Sequence, residues 1–252
     1  MIKVVVLGAG NVGSHLCKTL QENPNVLLLQ NYNRKGAVIK GCNVPITTNL
    51  LNIASAEVYI VTYNDNSLHE CAKDLSRLKG LVVHTSGATK IDVFSNLKNY
   101  GVLYPVQSFN KDLEINFKEV PIGVEANTKV NENLLLSLAQ SISDITYRIN
   151  SEQRKALHVA AVFANNFSNF MYTQAKDVCD NFEIDFNILK PIIKETIAKI
   201  EKADPKDIQT GPAIRNDSKT IEQHKLLLKD NKQKKIYTTI TKAIQTYYEK
   251  EL

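Results

Sequence analysis

The sequence is poor in residues that mark several protein classes. Its 252 residues include no tryptophan, two methionines and four cysteines. The cysteines are far apart in sequence and form no C-x-x-C pair, which is typical of reduced thiols and indicates neither a disulfide framework nor a zinc site. No apolar run is long enough to span a membrane, and the N-terminal run is too short for a signal peptide. We therefore expect a cytoplasmic protein without a metal, whose thiols are Cys17, Cys42, Cys71 and Cys179.

Charge and composition do not point to a nucleic acid. The chain has 31 basic and 26 acidic residues, which gives a formal net charge of +5. Its lysines concentrate late, between Lys229 and Lys235, and no basic stripe with interleaved aromatic residues is present. With 43% hydrophobic and 23% charged residues, the composition is that of an ordinary globular protein. The length suits one large domain or two smaller ones.

A G-x-G-x-x-G motif follows the first apolar run. That run leads into Gly8, Gly10 and Gly13, and a helical pattern follows. In this setting the motif is typical of dinucleotide binding, because its glycines allow a tight turn, a close approach of the pyrophosphate and close packing of the helix on the strand. The phosphates would accept hydrogen bonds from the first N–H groups of the helix, which include those of Asn11 and Val12. The alternative is a glycine turn that binds no ligand.

The residues after the second predicted strand indicate which dinucleotide binds. NAD enzymes usually carry Asp or Glu about 20 residues beyond the glycines, where it holds the ribose 2′-hydroxyl. Here the strand over residues 26–32 is followed by Asn33, Arg34 and Lys35 instead. A guanidinium suits a 2′-phosphate, so the sequence favours NADP over NAD. The alternative is a solvated basic turn.

The first half of the chain alternates β-type runs with helical patterns. This alternation predicts an α/β Rossmann-like fold, in which a doubly wound parallel sheet binds ligands at the carboxyl ends of its strands. Polar segments follow three predicted strands and contain Thr62, Asn64, Ser86 and Gln107. The predicted strands span residues 1–7, 26–32, 57–62, 80–84, 101–104, 121–125 and 145–149, and the predicted helices span 14–21, 49–54, 66–78, 91–97 and 131–141.

Strand patterns disappear from about residue 150 onward. Asn150 and Gln153 have the spacing of a helix cap. Helical patterns then cover residues 151–182, 186–203, 218–229 and 233–249. We therefore predict a Rossmann domain over residues 1–150 and an all-helical substrate and dimerisation domain over residues 151–252.

The first of these helices has an apolar side and a polar side. The apolar side is a stripe of small residues, which typically packs against a core or a dimer partner. The polar side carries His158, Asn165, Asn166, Asn169 and Tyr172. Because buried amides and imidazoles need hydrogen-bond partners, these residues either tie helices together or face a ligand between the domains. The stripe comprises Leu157, Ala160, Ala161, Ala164, Phe167, Ser168, Met171, Ala175 and Val178.

A later loop over residues 209–217 combines a rigid turn with a basic residue. Gly211 and Pro212 make the turn, and Asp217 can cap the next helix. Arg215 is then either an ordinary loop residue or an anion clamp for a substrate or a partner subunit.

Six motifs together resemble a known bacterial family. They are GAGNVG, NR after the second strand, HTSGA, YPVQSF, LHVAAVFANNFSN and TGPAIRND. The family joins a Rossmann-like domain to a domain of unknown function, DUF2520, and is often described as an NADP oxidoreductase, coenzyme F420-dependent-like. It is similar to 6-phosphogluconate and β-hydroxyacid dehydrogenases, ketopantoate reductase and pyrroline-5-carboxylate reductase. The resemblance covers nearly the whole chain and implies a C-terminal domain like that of 6-phosphogluconate dehydrogenase, but it names no substrate.

The resemblance carries over only part of a catalytic site. The β-hydroxyacid enzymes have a Ser-Gly-Gly loop near the substrate, which Ser86 and Gly87 resemble. They also have a catalytic lysine with an asparagine one turn later on the long helix. Here Lys155 is followed one turn later by Val159, and His158 by Val162. This departure leaves His158 as the candidate proton donor.

Hydride transfer to a carbonyl or imine requires a proton donor and a group that polarises the acceptor atom. His158 suits the first role, and Ser86 and Asn165 suit the second. The candidate substrate ligands are Asn166, Asn169, Gln107 and Arg215. The candidate cofactor ligands are Gly8, Gly10, Asn11, Val12, Gly13, Asn33, Arg34, Thr62, Asn64 and Ser86.

The sequence supports one function and leaves others open. The first is an NADP-dependent oxidoreductase that transfers a hydride between NADP(H) and a small polar metabolite. The alternative is a non-catalytic sensor that binds NADP(H), which the missing lysine–asparagine pair favours. A reaction with reduced deazaflavin rests on the family description alone. The small-residue stripe predicts a homodimer, and no membrane or nucleic-acid partner is expected.

Overall fold

The structure is a computed structural model in which residues 1–249 are described. The chain forms two compact units, Met1–Asn165 and Asn166–Leu252. The first unit contains an eight-stranded sheet with the order β3-β2-β1-β4-β5-β6-β7-β8. Its strands are β1 (Ile2–Leu7), β2 (Val26–Tyr32), β3 (Ile46–Thr47), β4 (Val58–Val61), β5 (Leu81–His84), β6 (Tyr100–Pro105), β7 (Ile122–Ala126) and β8 (Thr146–Arg148).

Strand β1 lies at the centre of the apolar core because both of its faces are buried. Val4 and Val6 belong to one apolar cluster, and Val5 and Leu7 belong to another. Successive side chains of a strand point to opposite faces, so the sheet is covered on both sides, as its continuous apolar run predicts. Strand β1 pairs in parallel with β2 and β4. The strand order reverses here, which places the ligand-binding edge at the carboxyl ends of β1 and β4.

The first unit contains four α-helices, and the last of them begins at the predicted cap. The predicted cap at Asn150 is confirmed, because its side chain accepts the N–H of Gln153 while the Gln153 side chain accepts the N–H of Asn150. The helix that begins there lies within the compact unit Met1–Asn165. The four helices are α1 (Asn11–Gln21), α2 (Asp65–Cys71), α3 (Lys129–Ile142) and α4 (Ser151–Ala161).

The sheet differs from the predicted arrangement in two respects. Strand β7 runs antiparallel to β6, whereas the alternating pattern predicted a fully parallel sheet. The reason is that residues 106–121 contain no α-helix, so the chain turns back along the sheet without a crossover. The two-residue strand β3 was not predicted.

The predicted helices over 49–54 and 91–97 are 3₁₀ segments, Leu50–Asn52 and Ile91–Phe94, and the end of the helix predicted over 66–78 is a series of turns.

The described part of the second unit is helical throughout, as predicted. A π-helical turn, Val162–Phe167, crosses the division of the chain and leads into α5 (Ser168–Asn181). The later helices are α6 (Lys190–Ile200), α7 (Ser218–Leu227) and α8 (Asn231–Tyr248). Within residues 1–249, no helix combines the length and apolar character needed to cross a membrane.

Candidate functional site

The glycine turn after β1 has the geometry that its motif predicts. Gly8 has a φ of +119°, a conformation that residues with side chains rarely adopt. A Cβ atom on Gly13 would lie 2.4 Å from the carbonyl oxygen of Gly8 and 2.6 Å from Oγ1 of Thr62. A Cβ atom on Gly10, in contrast, would meet no atom within 4 Å. The turn is therefore tightly packed at Gly13 and open at Gly10.

The N-terminus of α1 presents N–H groups beside this opening. Gly10 is the N-cap residue and has no side chain to accept a hydrogen bond from the helix. The N–H groups of Asn11, Val12 and Gly13 open the helix and have no acceptor inside it. The Asn11 side chain is directed to Lys111, whose N–H donates to its Oδ1 over 3.3 Å. An uncapped helix start beside an open glycine fits the pyrophosphate of a dinucleotide.

Asn31 fixes the glycine turn from β2, and the sequence pattern did not select it. Its side chain is fully buried. Its Nδ2 donates to the carbonyl oxygens of Val6, over 3.1 Å, and Gly8, over 2.8 Å. Its Oδ1 accepts a hydrogen bond from Asn33, whose amide also bonds the N–H and carbonyl groups of Ala37. The predicted cofactor ligand Asn33 thus directs its amide into the loop that follows β2.

Arg34 lines a cavity of about 140 Å³ at the carboxyl ends of β2 and β4. The end of the second strand is where dinucleotide-binding folds recognise the 2′ substituent of the ribose. Tyr63 lines the same cavity, and burial raises the pKa of its hydroxyl above the usual range, so the ring is neutral. Glu70 and Asp74 also line it. The cavity therefore combines a guanidinium, a neutral phenol and two carboxylates.

The two predicted cofactor residues after β4 shape the backbone around the glycine turn. Oγ1 of Thr62 donates to the carbonyl oxygen of Leu7 over 3.1 Å, which ties the end of β4 to the end of β1. Asn64 caps α2, since its side chain accepts the N–H of Ser67 over 2.9 Å. Thr62 therefore contacts the turn, and Asn64 begins the next helix.

The HTSG segment after β5 forms a turn built on Ser86. Its Oγ accepts hydrogen bonds from the N–H groups of Ala88 and Thr89, over 3.1 and 2.9 Å, which leaves the hydroxyl proton free to donate. The N–H of Ser86 donates to Nδ1 of His84 over 3.2 Å. Burial and the charge of Arg154 lower the pKa of His84 to about 3, so this imidazole is neutral.

Arg154 on α4 holds the same turn and was not predicted. Its side chain is fully buried. One guanidinium nitrogen donates to the carbonyl oxygens of Ser86, Gly87 and Thr89, over 3.5, 3.3 and 2.8 Å. The other donates to the carboxylate of Glu125 on β7 over 3.1 Å, which balances the buried charge. Arg154 thereby attaches the turn to β7 and α4.

His158 follows one helical turn after Arg154 and meets Tyr104 at the end of β6. Nδ1 of His158 and the hydroxyl oxygen of Tyr104 are 3.2 Å apart. A Cβ atom on Gly87 would lie 2.7 Å from that nitrogen and 2.9 Å from Cε2 of Tyr104, so a glycine is required beside this pair. Burial raises the pKa of Tyr104. The structure thus brings the predicted His158 together with the predicted turn and with a tyrosine that the sequence analysis did not select.

The remaining predicted residues have exposed side chains. Asn165 and Asn166 lie in the π-helical turn, and Asn169 lies in α5. Arg215 lies in the loop before α7, and Gln107 follows β6. Short π-helical turns inside helices occur frequently at functional sites. The spacing of apolar residues predicts the helix but not this turn.

Comparisons with known proteins identify the family. Residues 120–244 match the family described as a domain of unknown function, DUF2520. A crystal structure from Bacteroides fragilis, provisionally described as an NADP oxidoreductase, is 33% identical to this chain. The match covers 97% of this chain and 98% of that one, with a TM-score of 0.90. The chain belongs to the DUF2520 family of Rossmann-like proteins.

More distant structures share the fold of this DUF2520 protein. A protein from Thermotoga maritima is 21% identical, over 98% of this chain and 99% of that one, with a TM-score of 0.70. An imine reductase from Myxococcus stipitatus, solved in complex with NADP+, is 13% identical, over 98% and 93% of the two chains, with a TM-score of 0.67. No curated protein matches the sequence. At these identities the likeness shows the fold, and the chemistry has to be argued from the side chains.

Proposed function

We propose that the protein is an oxidoreductase that transfers a hydride between NADP(H) and a small polar metabolite. One observation carries the proposal: the open glycine turn at Gly10 follows the carboxyl end of β1, and Tyr104, which contacts His158, lies at the carboxyl end of β6 in the same sheet. The turn offers a place for the dinucleotide, and the pair offers a proton donor. The descriptions of the Bacteroides fragilis protein and of the imine reductase with NADP+ support this cofactor class.

The strand order indicates the direction in which a dinucleotide would lie. Arg34 follows β2, on one side of β1, whereas Ser86 follows β5, on the other side. A dinucleotide with its ribose at Arg34 and its pyrophosphate at Gly10 would therefore extend towards Ser86 and His158. When bound, the nicotinamide supplies or accepts the hydride. The residues at that end of the site then have to manage the proton.

His158 is suited to that task because Tyr104 fixes its tautomer. With its pKa raised by burial, the phenol stays protonated at neutral pH and donates to Nδ1 of His158. The imidazole proton is then on Nε2, and it would be donated to the oxygen or nitrogen that gains the hydride while Nδ1 takes the proton of the phenol, so that the imidazole stays neutral. The hydroxyl of Ser86, whose proton the turn does not use, would donate a second hydrogen bond to the same atom.

Arg154 acts in this proposal as a positioning residue. It binds the backbone on both sides of Gly87, and His158 lies one turn further along the same face of α4. A shift of the turn would therefore move Ser86, and it would also change the space that is available to His158. The buried pair with Glu125 keeps that geometry rigid.

The preference for NADP over NAD rests on Arg34. A guanidinium can bind a 2′-phosphate through two parallel hydrogen bonds, and NAD offers it no such group. The carboxylates of Glu70 and Asp74 in the same cavity would repel the negatively charged 2′-phosphate, so the attraction has to come from Arg34. Asn166, Asn169, Gln107 and Arg215 stay predicted ligands of the polar or anionic metabolite, and Asn165 stays a predicted polarising group.

We also propose that the protein is a homodimer that associates through the second unit. Isoleucines on and beside α6 are 49% to 68% exposed. Exposed isoleucines suit an interface that excludes water, and identical apolar surfaces can pair about a two-fold axis. Light scattering should give twice the chain mass of 28.2 kDa, and a single chain mass would contradict the dimer. The isoleucines are Ile188, Ile192, Ile197 and Ile200.

The proposed reaction is tested by NADPH oxidation, followed at 340 nm, against imines, 2-oxo acids and reduced deazaflavin, with 3-hydroxy acids and NADP+ for the reverse direction. We expect turnover with at least one carbonyl or imine compound. Tight binding of NADPH without turnover of any compound would favour the sensor instead.

A further inference from the structure

Two cysteines that are distant in sequence are neighbours in the first unit. Cys17 lies on α1, and Cys42 lies in the loop between β2 and β3. The residues on either side of Cys42 contact α1 close to Cys17: a Cβ atom on Gly41 would lie 3.8 Å from Cε of Lys18, and the N–H of Asn43 donates to Oε1 of Gln21. The two thiols are close enough for each to shift the pKa of the other. Both belong to the apolar cluster on one face of the sheet, and Cys42 retains 8% of its surface exposure while Cys17 has none. The fold therefore places a dithiol between the first helix and the loop that begins with Arg34.

The two thiols differ in the direction in which their surroundings shift the pKa. The hydrogen bond from Cys17, a backbone hydrogen bond at Val44 and the charge of Lys18 hold the pKa of Cys42 below its usual range. The hydrogen bond with Cys42 and burial raise the pKa of Cys17. Cys42 is thus the more exposed thiol and the one that ionises more readily, and Cys17 is the neighbouring thiol with the raised pKa. A low-pKa thiol beside a second thiol is the arrangement that supports reversible oxidation.

The dithiol is connected to the glycine turn through Asn31. Nδ2 of Asn31 lies 3.5 Å from Sγ of Cys17 and also donates to the carbonyl oxygen of Gly8. Its Oδ1 binds Asn33, which holds the loop at Ala37. A displacement of Sγ of Cys17 therefore reaches both the turn at Gly8 and the loop that carries Arg34.

We propose that Cys17 and Cys42 form a reversible disulfide when a hydroperoxide oxidises Cys42, and that this disulfide weakens dinucleotide binding. The second half of the proposal rests on the function proposed above. The first half does not, because it concerns the two thiols alone.

The oxidation is balanced in two steps. The Cys42 thiolate attacks the terminal oxygen of the hydroperoxide, so an S–O bond forms, the O–O bond breaks and the alcohol or water leaves with a proton. Sγ of Cys17 then attacks Sγ of Cys42, so the S–S bond forms, the S–O bond breaks and the hydroxide leaves as water with the Cys17 proton. Two thiols lose two electrons in all, and the hydroperoxide gains them.

The disulfide opposes binding because it changes the support of the glycine turn. It brings the sulfur atoms to about 2.05 Å, closer than a hydrogen-bonded contact allows, and it attaches the loop to α1. A shift of Sγ of Cys17 removes one of the contacts that hold Nδ2 of Asn31, so the hydrogen bond from the same nitrogen to the carbonyl oxygen of Gly8 is displaced with it. By linkage, bound NADPH then favours the dithiol, and a tenfold loss of affinity corresponds to a shift of about 30 mV in the reduction potential of the pair.

Peptide mapping tests the disulfide. The full chain is treated with hydrogen peroxide, alkylated under denaturing conditions and digested without reductant. We expect a linked peptide of Cys17 and Cys42 that dithiothreitol releases. The Cys179→Ser variant, which removes a buried cysteine of the second unit, should give the same linked peptide, and Cys42→Ser should give none. Four alkylated thiols in treated wild type, or sulfinic acid at Cys42 without the link, would overturn the proposal.

Affinity measurements test the consequence. The dissociation constant of NADPH is measured for reduced and oxidised wild type, with Cys42→Ser treated in the same way. We expect a rise of about tenfold on oxidation of wild type and no change in the variant. Equal affinities of the two wild-type forms would overturn the regulatory half. If the reduced protein does not bind NADPH, the proposed function fails, and the peptide map still decides whether the disulfide forms.

Discussion

The hydroxyl oxygen of Tyr104 lies 3.2 Å from Nδ1 of His158, and the missing side chain of Gly87 makes room for both rings. The three residues come from β6, α4 and the turn after β5, so the fold alone brings them together. In the proposed reaction, this contact fixes the tautomer of the predicted proton donor. It is the structural basis of the proposed chemistry.

The first prediction concerns this pair. His158→Asn removes the proton donor and should lower kcat by about 10²- to 10⁴-fold, the usual contribution of a general acid. Tyr104→Phe removes the bond that fixes the tautomer and should lower kcat by about tenfold. The double variant should be no worse than His158→Asn alone, because Tyr104 acts through His158.

The control for the pair is His69→Asn, which changes an exposed histidine. All of these variants should bind NADPH as wild type does. A loss of NADPH affinity equal to the loss of kcat, or additive effects in the double variant, would contradict the assigned roles.

The second prediction separates binding from stability in the glycine turn. Gly10→Ala places its methyl group in open space, so the variant should fold with an unchanged Tm but bind NADPH at least about tenfold more weakly. Gly13→Ala forces a Cβ atom against the backbone of Gly8, and overpacking of this kind costs about 1–3 kcal/mol. Thermal unfolding and NADPH titration of both variants measure the contrast. Normal NADPH binding by Gly10→Ala would show that the phosphates do not lie there.

The third prediction tests the choice of cofactor. Arg34→Ala should raise the dissociation constant of NADPH by about 10- to 100-fold, since a charged hydrogen-bonded pair contributes about 1.5–3 kcal/mol. The dissociation constant of NADH should change little. Lys35→Ala is the matched control, because it removes one positive charge from the adjacent position. Equal effects of Arg34→Ala on both cofactors would contradict the preference for NADP.

The fourth prediction is a dependence of stability on pH that originates from His84. Its pKa is about 3 in the folded protein and near 6.5 in the unfolded chain, so between these values the unfolded chain binds more protons. Stability therefore falls as pH decreases through this window, by about 2 kcal/mol between pH 7 and pH 5 from this group. Urea unfolding measures the effect as the difference between wild type and His84→Asn, whose amide oxygen can still accept the Ser86 N–H.

The pH comparison has its own control. His69→Asn should retain the wild-type dependence, because His69 is exposed. If His84→Asn loses stability on acidification as steeply as wild type, His84 does not stay neutral in the folded protein.

The features that could be predicted correctly are those that depend on residues close together in the sequence. The turn at Gly8 and the cap at Asn150 follow from local spacing, and both are confirmed. The reversed strand β7 could not be predicted, because its direction depends on a connection without a crossover helix. The π-helical turn at Asn165 leaves no mark in the spacing of apolar residues.

Much of the candidate site depends on contacts between distant segments. Tyr104 is close to His158 because of the order of the strands, and no periodicity indicates this. The spacing around Arg154 does not indicate that it is buried, because its contacts with three carbonyl groups and Glu125 exist only in the folded chain. The same holds for the two thiols, which the sequence analysis treated as separate.

The most direct test of the account is NADPH oxidation by wild type and His158→Asn, measured side by side on carbonyl and imine compounds. We expect turnover by wild type that requires NADPH in preference to NADH. We also expect that His158→Asn loses the turnover while its dissociation constant for NADPH stays unchanged. Turnover by the variant at the wild-type rate, or binding of NADPH without turnover of any compound by wild type, would contradict it.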